Sequence, residues 1–567
     1  MKRIDQTTGV VTTMAIGIFL CMLDTTVMNI ALPAIQTGLK TSLGTLSWAL
    51  NIYTVLFASL TIPLGRLADI WGRSRVYVVG LGLFLLGSLC SGLAPSVTWL
   101  IMGRSVQSVG AAIVFPASMT IGIQSAALAQ RTRVIAILGV TQGLAAALGP
   151  TIGGIVMQFW GWRGIFLINV PLILIAGFRC IRQLDLTRQP RQNEKLDAWG
   201  SLLSMVVLFS LTLVLVKGSD WGWQSGAILG LIGLCVVALV TFISVEQRVS
   251  DPMVPMALFK DRQFVGAAIV TVISGIFLVA LMVLMPSFFT KVLGKSELVA
   301  ALMITPASVM IFICSPISGL LLAKVGPRLV IGFGALAMIS GYVVLSMMTP
   351  SVYWQFLMAA LLIGTGYGII IGPITILAAG QFTGKLLTAS QSVIGVFRQI
   401  GTSLAVAIFV SALSTNLVTA KQHVWDHART TIIRLDVPQT VKQTTLKKVK
   451  AQLATEATPH QPREPVINDH QAAELVQATY QQVLVKKRLQ TQSARVKKGV
   501  YQQVHQQVIH KVARINQKVM HSISVIHRNV RDELTRAFIK PYQRALPFTF
   551  LLLATVVLFR KREQENK

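Results

Sequence analysis

A chain of 567 residues is long enough for several soluble domains, yet 53 % of it is hydrophobic and only 13 % charged, about half the charged share of a soluble globular protein. No aqueous core absorbs so many apolar side chains, so a lipid-facing surface must take them; soluble enzyme, secreted scaffold and disordered protein are excluded as descriptions of the whole. A formal net charge of +30 would ordinarily suggest nucleic acid or another acidic partner, but its placement follows membrane topology, and no nucleic-acid partner is expected.

Apolar segments of spanning length recur at 10–34, 45–66, 76–94, 97–123, 133–157, 163–181, 198–216, 226–245, 264–286, 298–322, 329–348, 353–377, 386–414 and 545–559. These fourteen spans predict an all-α integral membrane protein. The last is the shortest, and Tyr542 and Pro547 extend it if they join the helix. With the N terminus inside, inner loops and tails carry 22 Lys and Arg, against five in the short outer loops. That asymmetry places both termini in the cytoplasm of a multi-pass plasma-membrane protein. The first apolar run is too long for a cleavable signal peptide and flows directly into further spans.

In span 1, LCMLDTTVMNIALPAI carries Asp24, the one acidic residue clearly inside a span. A carboxylate at that depth costs about 2.5–3.5 kcal/mol even on lenient insertion scales, which marks it as a proton or cation site; a structural partner or a water-filled mouth is the alternative. The inner loop after span 2, GRLADIWGRSR, places Gly65, Asp69, Gly72 and Arg73 where Asp69 can meet a helix N terminus or a basic side chain of the other half. That reads as a conformational latch, against an ordinary solvated charge pair. Arg104 in MGRSVQSVG of span 4 lies at a depth compatible with Asp24. Pairing would keep either charge from being buried alone, and snorkelling to the outer interface is the other reading.

In span 5, TQGLAAALGPTIGG supplies Gly149, Pro150, Gly153 and Gly154, small residues for close helix contact and a proline for a kink, hence a hinge. Asn29, Trp48, Tyr53, Tyr367 and Arg398 are candidates for a substrate cavity. The aromatic faces suit a cation, with packing or lipid-facing roles equally open. Arg398 suits an anionic or carbonyl group of the substrate, or the carbonyls of a broken helix. The cysteines Cys21, Cys90, Cys180, Cys235 and Cys314 have no ligand spacing and read as small hydrophobes. His423 and His427 lack a third ligand, so no metal site is expected. No Walker A loop is present, which argues against ATP as the energy source.

A repeat links GRLADIWGRSR to GLLLAKVGPRL, 254 residues later. Two six-span halves with an inserted pair, 198–245, account for that offset, and repeated halves around a central site are a transporter architecture. The chain then divides into 1–195, 196–248, 249–415, 416–544 and 545–567. Residues 416–544 hold 22 Lys and Arg, eight Asp and Glu, and all eight histidines. Span parity puts them outside. From Val496 to Phe538 apolar residues recur every three or four positions, one stripe on a long amphipathic helix that needs 440–456, 471–490 or a second copy to cover it.

Together, LDTTVMNIALP, GRLADIWGRSR, GRSVQSVGAA, GPTIGG and GWRGIFLINVP resemble, in order, the motifs of the major facilitator superfamily, specifically its fourteen-span drug:proton antiporter branch. The resemblance covers about residues 8–415; Ala323 stands where the second-half loop would match Asp69. It implies proton-coupled efflux of lipophilic drugs or toxic compounds, with protons as coupling ion and no cofactor. Asp24 and Arg104 are the coupling pair it implies. Export of an endogenous lipid, peptide or metabolite is the alternative. An envelope-interaction protein acting through the basic segment on anionic envelope polymers or membrane lipids is a second, although fourteen spans exceed what an anchor needs.

Overall fold

The computed structural model describes residues 2–559 apart from 42, 185, 187–196, 250, 350, 351, 381, 436, 455–466 and 492. The predicted basic residues within 187–196 and 560–567, and the side chain of Asn29, lie outside the described residues. The helices are α1 (Lys2–Gly38), α2 (Leu43–Trp71), α3 (Arg73–Gly92), α4 (Val97–Gln124), α5 (Leu128–Leu167), α6 (Asn169–Gln183), α7 (Ala198–Trp221) and α8 (Gly226–Glu246). There follow α9 (Ala257–Lys260), α10 (Arg262–Lys291), α11 (Glu297–Val325), α12 (Pro327–Ser346), α13 (Tyr353–Ala379) and α14 (Gly384–Ala405). The chain ends with α15 (Ser411–Ile433), α16 (Gln439–Ala454), α17 (Asp469–Lys486), α18 (Ala494–Thr549) and α19 (Leu551–Thr555).

Among the described residues, 12 helices are long and apolar enough to cross a membrane, or 13 when the bent pair Gln130–Ala145 and Leu148–Leu167 counts as one span. The pair bends by 49° one turn before Pro150, where the proline ring displaces the carbonyl four residues earlier. The expected span 163–181 is divided differently. Helical geometry breaks at Gly161 (φ 69, ψ −176), and α6 alone has 15 residues, fewer than the ~20 a crossing needs. Ile168, with φ −61 and ψ −25, joins α6 to residues 162–167 in helical conformation. Two expected ends also shift. A π-helical turn, Val406–Val410, carries α14 into α15, so helix persists to Ile433 instead of ending at 414. At the other end, α18 runs unbroken past residue 544.

The chain forms two compact units, Met1–Ser287 with Lys295–Ala412 and Pro541–Lys567, and Phe288–Gly294 with Leu413–Lys540. In the first, α4 is central, with 89 % of its apolar window buried, whereas α8 is peripheral at 17 %. Helix α4 lies against α1, α2 and α3; α5 lies against α1, α11 and α13; α2 lies against α7 and α14. The helices of 1–195 and of 249–415 therefore meet through α5 and α2, and α7 packs on α2 and on α8. Met14, Ile18, Tyr53, Phe57, Tyr77 and Phe84 anchor the core of the first half. In the second half, the Tyr542 hydroxyl donates to the Ala280 carbonyl at 3.1 Å, and its ring meets Tyr342 and Phe409 at 5.9 and 5.7 Å. The last apolar stretch thus extends back to Tyr542.

The sequence repeat has a matching backbone. Gly72 (φ 98) separates α2 from α3, and Gly326 (φ 88) separates α11 from α12. Each is a one-residue turn in the left-handed region, open to glycine and strained for other residues.

In the second unit the amphipathic stripe is covered from within the chain. Ile526 and Val530 pack with Val424, Ala428 and Ile432 of α15 and Val449 of α16. Val512, Ile515 and Val519 pack with Ile467 and Ala472 at the start of α17. Each of the valines and isoleucines among them, once buried, contributes about 1.5–3 kcal/mol. At the start of the stripe Val496 remains 42 % exposed. His427 lies against Asn529 at 3.1 Å, and His423 against Glu533 at 3.7 Å.

Candidate functional site

Asp24 on α1 and Arg104 on α4 form an ion pair between Oδ2 and Nη1, with side chains 0 % and 1 % exposed. Helix periodicity supplies the next partner: Gln107 is three residues after Arg104 and shares its face. Gln107 Nε2 donates to Asp24 Oδ1 and to Ser88 Oγ, both at 2.9 Å, while its Oε1 accepts from Arg104 Nη1 at 2.8 Å. Asn169, the first residue of α6, donates from Nδ2 to Asp24 Oδ1 at 3.3 Å. Arg104 Nε reaches the Ala49 carbonyl at 3.3 Å, and its guanidinium carbon stands 4.2 Å over the Tyr53 ring. Two charges removed from water at a cost of several kcal/mol each are thus held by polar groups from α2, α3, α4 and α6. The carboxylate can stay ionised within the pair or take up a proton, which leaves the guanidinium charge without its counter-ion.

The other predicted residues divide by position. Trp48 faces α7: Lys217 Nζ lies 4.8 Å from its ring, and Trp221 6.1 Å. Lys217 also binds Asp220 at 2.8 Å and Ser47 at 3.0 Å. The cations over Trp48 and Tyr53 are thus the protein's own, Lys217 and Arg104. Arg398 on α14 donates from Nη1 to Gln142 Oε1 on α5, and its buried Nε has no partner among the described residues. Buried Tyr367 on α13 is within electrostatic reach of it.

Near the N terminus of α14, Asp69 Oδ1 binds Arg73 Nε at 2.6 Å and accepts from Thr388 Oγ1 at 3.0 Å. Arg73 Nη2 donates to the Gly384 carbonyl at 3.3 Å. A side chain on Gly65 would collide with Ser392 Oγ. The predicted loop residues therefore do reach the other half, through a hydroxyl and a carbonyl in place of an opposite charge. The charged contact comes from Asp251, in the segment after α8. It stands 3.1 Å from Lys385 and 3.8 Å from Arg66. Glu246 shapes that segment by accepting the Met253 and Val254 amides, both at 3.1 Å. Arg66, Asp69, Asp251, Lys385 and Thr388 line a cavity of about 60 Å³.

On α5, Gly149 lies against Thr26 and Gly153 against Val27, where a Cβ would sit inside contact distance; Gly154 faces Ala301 and Leu298 of α11. Pro150 stands between, and Thr151 shares a 2.7 Å hydrogen bond with Thr305. The small residues let α5 touch α1 and α11 at once.

Many membrane-spanning apolar helices, with a charge pair buried among α1, α2, α4 and α6, define a polytopic membrane transporter. Residues 14–406 match the model of the Major Facilitator Superfamily. The chain is 30 % identical over 418 residues to the "Multidrug resistance protein Stp" of Mycobacterium tuberculosis, covering 73 % of this chain and 77 % of that one. It is 31 % identical to the "Multidrug transporter protein MdtP" of Bacillus subtilis over 424 residues, 74 % and 78 % of the two chains. With the "Methylenomycin A resistance protein" of Streptomyces coelicolor it shares 30 % over 432 residues, 75 % and 88 % of each. The chain belongs to the Major Facilitator Superfamily, and these relatives are named for multidrug transport or for drug and antibiotic resistance; it is a transporter and not an enzyme.

Proposed function

We propose that this protein exports lipophilic, cationic drugs or toxic compounds across the plasma membrane in exchange for protons. The observation that carries the reading is the fully buried Asp24–Arg104 pair inside a transporter whose relatives are named for drug resistance. Asp24 is the site where proton and substrate compete. Arg104 holds the carboxylate charged until either arrives, and a cationic substrate or a proton satisfies it equally. Arg398 and Tyr367 contribute to the substrate cavity. Asp69, Arg73, Thr388, Asp251 and Lys385 form a cytoplasmic latch that opens as the halves rearrange around the α5 hinge.

Protons are the coupling ion, and no prosthetic group takes part. Fourteen spans with both termini in the cytoplasm, supported by the loop charge asymmetry, put 416–540 outside the cell. Its net charge suits anionic envelope polymers or lipid headgroups. Efflux of ethidium from cells carrying the protein, with and without a protonophore, tests the reading. Protonophore-sensitive efflux above that of empty cells is expected; efflux indifferent to the protonophore would contradict it.

A further inference from the structure

Asn169 has a hydrogen-bonding atom that the charged state of Asp24 leaves idle. It is 1 % exposed. Its Nδ2 gives one long bond, 3.3 Å, to Asp24 Oδ1, and its Oδ1 is buried with no partner among the described residues. An ionised carboxylate only accepts, so every group around Asp24 is a donor. Once protonated, the carboxyl must donate, and it needs an acceptor. The proton cannot settle on Oδ2, which faces the guanidinium of Arg104, a group with no lone pair. It settles on Oδ1, beside the amides of Gln107 and Asn169.

Only one of these amides is free to turn. Turning Gln107 would break its bond to Ser88 and aim its NH2 at Arg104. Turning Asn169 gives up one long bond and exchanges an unpartnered oxygen for an unpartnered nitrogen, leaving the number of unsatisfied atoms unchanged. The titratable groups facing Asp24 are Cys21 of α1, Tyr53 of α2 and Arg104 of α4. Tyr53 donates its hydroxyl to the Cys21 carbonyl and, among the described residues, makes no hydrogen bond to Asp24, and the Arg104 guanidinium has no lone pair to offer.

We infer that Asn169 is the acceptor for protonated Asp24: its side-chain amide turns over when the proton arrives, and its carbonyl oxygen receives the carboxyl O–H. The step adds one proton, forms one O–H bond on Asp24 Oδ1 and removes one negative charge. It makes Asn169 a positioning residue that ties the proton to the first turn of α6. The inference rests on the reading of Asp24 as the coupling site.

Infrared difference spectra of the full-length protein in detergent, recorded across a pH titration, read the carboxyl C=O band of protonated Asp24, identified by its loss in Asp24→Asn. A carboxyl O–H bond is shorter and stronger than the long amide bond it replaces. Asn169→Leu should therefore lower the midpoint of that band by up to about one pH unit, a tenfold loss of proton affinity. Asn169→Ser, whose hydroxyl both donates and accepts, should bring it back toward wild type. Asn169→Ala serves if the leucine variant fails to insert, with the same fall expected. A residue acting only as a donor to the anion would raise the midpoint when lost, and one that only packs would leave it unmoved; either result overturns the inference. If the wild type shows no titrating band that Asp24→Asn removes, the coupling assignment itself fails.

Discussion

Removing Arg104 alone should cost far more than removing Arg104 and Asp24 together. Both side chains are shielded from solvent, so Arg104→Gln leaves a buried carboxylate with only Gln107 and Asn169 as donors. The Ala49 carbonyl and Gln107 Oε1 lose their donor as well. Breaking such a pair from one side costs about 3–5 kcal/mol. Asp24→Asn with Arg104→Gln leaves no unpaired charge, so the double variant should recover at least about 2 kcal/mol relative to additivity. Unfolding by SDS in mixed micelles, followed by tryptophan fluorescence, gives the four free energies of the cycle. Arg104 stabilises the charged form of Asp24, so its contribution is present at higher pH and is lost as pH falls far enough to protonate the carboxyl. The single-variant penalty should therefore shrink in acid. Additivity within about 0.5 kcal/mol at neutral pH would refute the pairing.

Gly72→Ala and Gly326→Ala should each destabilise the protein by about 1–2 kcal/mol, because both turns hold positive φ. Gly82→Ala, on α3 with open space around its Cα, should not, and equal effects in the same SDS titration would remove the backbone argument. Residues 416–540 should be cut by protease added to intact, wall-stripped cells; cleavage confined to inverted vesicles would show the span count to be wrong. Replacing 416–540 with a short polar linker should leave substantial efflux while weakening, in a salt-dependent way, association with anionic polymers. Complete loss of efflux at normal membrane levels would assign that segment a direct part in transport.

Most of the architecture was legible because its signals are local. Spanning length, Gly72 and Gly326 at matching places, and Pro150 within an apolar run each need only a few neighbouring residues. Arg104 and Asp24 were legible as well, since a charge in an apolar helix demands a partner. Gln107 had a usable signal, three residues from Arg104 in the same helix, but a neutral amide does not announce itself. Asn169 stands within GWRGIFLINVP, but nothing in that motif points to Asp24: the two lie 145 positions apart, and the packing of α6 against α1 joins them. Asp251 reads as one more loop charge until Glu246 folds its segment toward Lys385. The extension of helix to Ile433 was concealed by hydrophilic residues, although Val424, Ala428 and Ile432 repeat every four positions. At Trp48 the sequence left a cavity role and a packing role open, because an aromatic face attracts any nearby cation, and in the structure Lys217 lies over it.

Proton-coupled export through Asp24 is tested most directly by Asp24→Asn in proteoliposomes, with an imposed pH gradient and a monovalent lipophilic cation such as ethidium. The substitution keeps the shape of the side chain and removes its titration. One-for-one exchange of a proton for a monovalent cation moves no net charge, so the pH gradient alone drives it, without the ~2.3 kcal/mol per 100 mV of a membrane potential. The account predicts gradient-driven uphill transport by the wild type and none by Asp24→Asn at equal incorporation. Transport by Asp24→Asn at near wild-type rate, still collapsed by a protonophore, would contradict it and move the coupling site elsewhere.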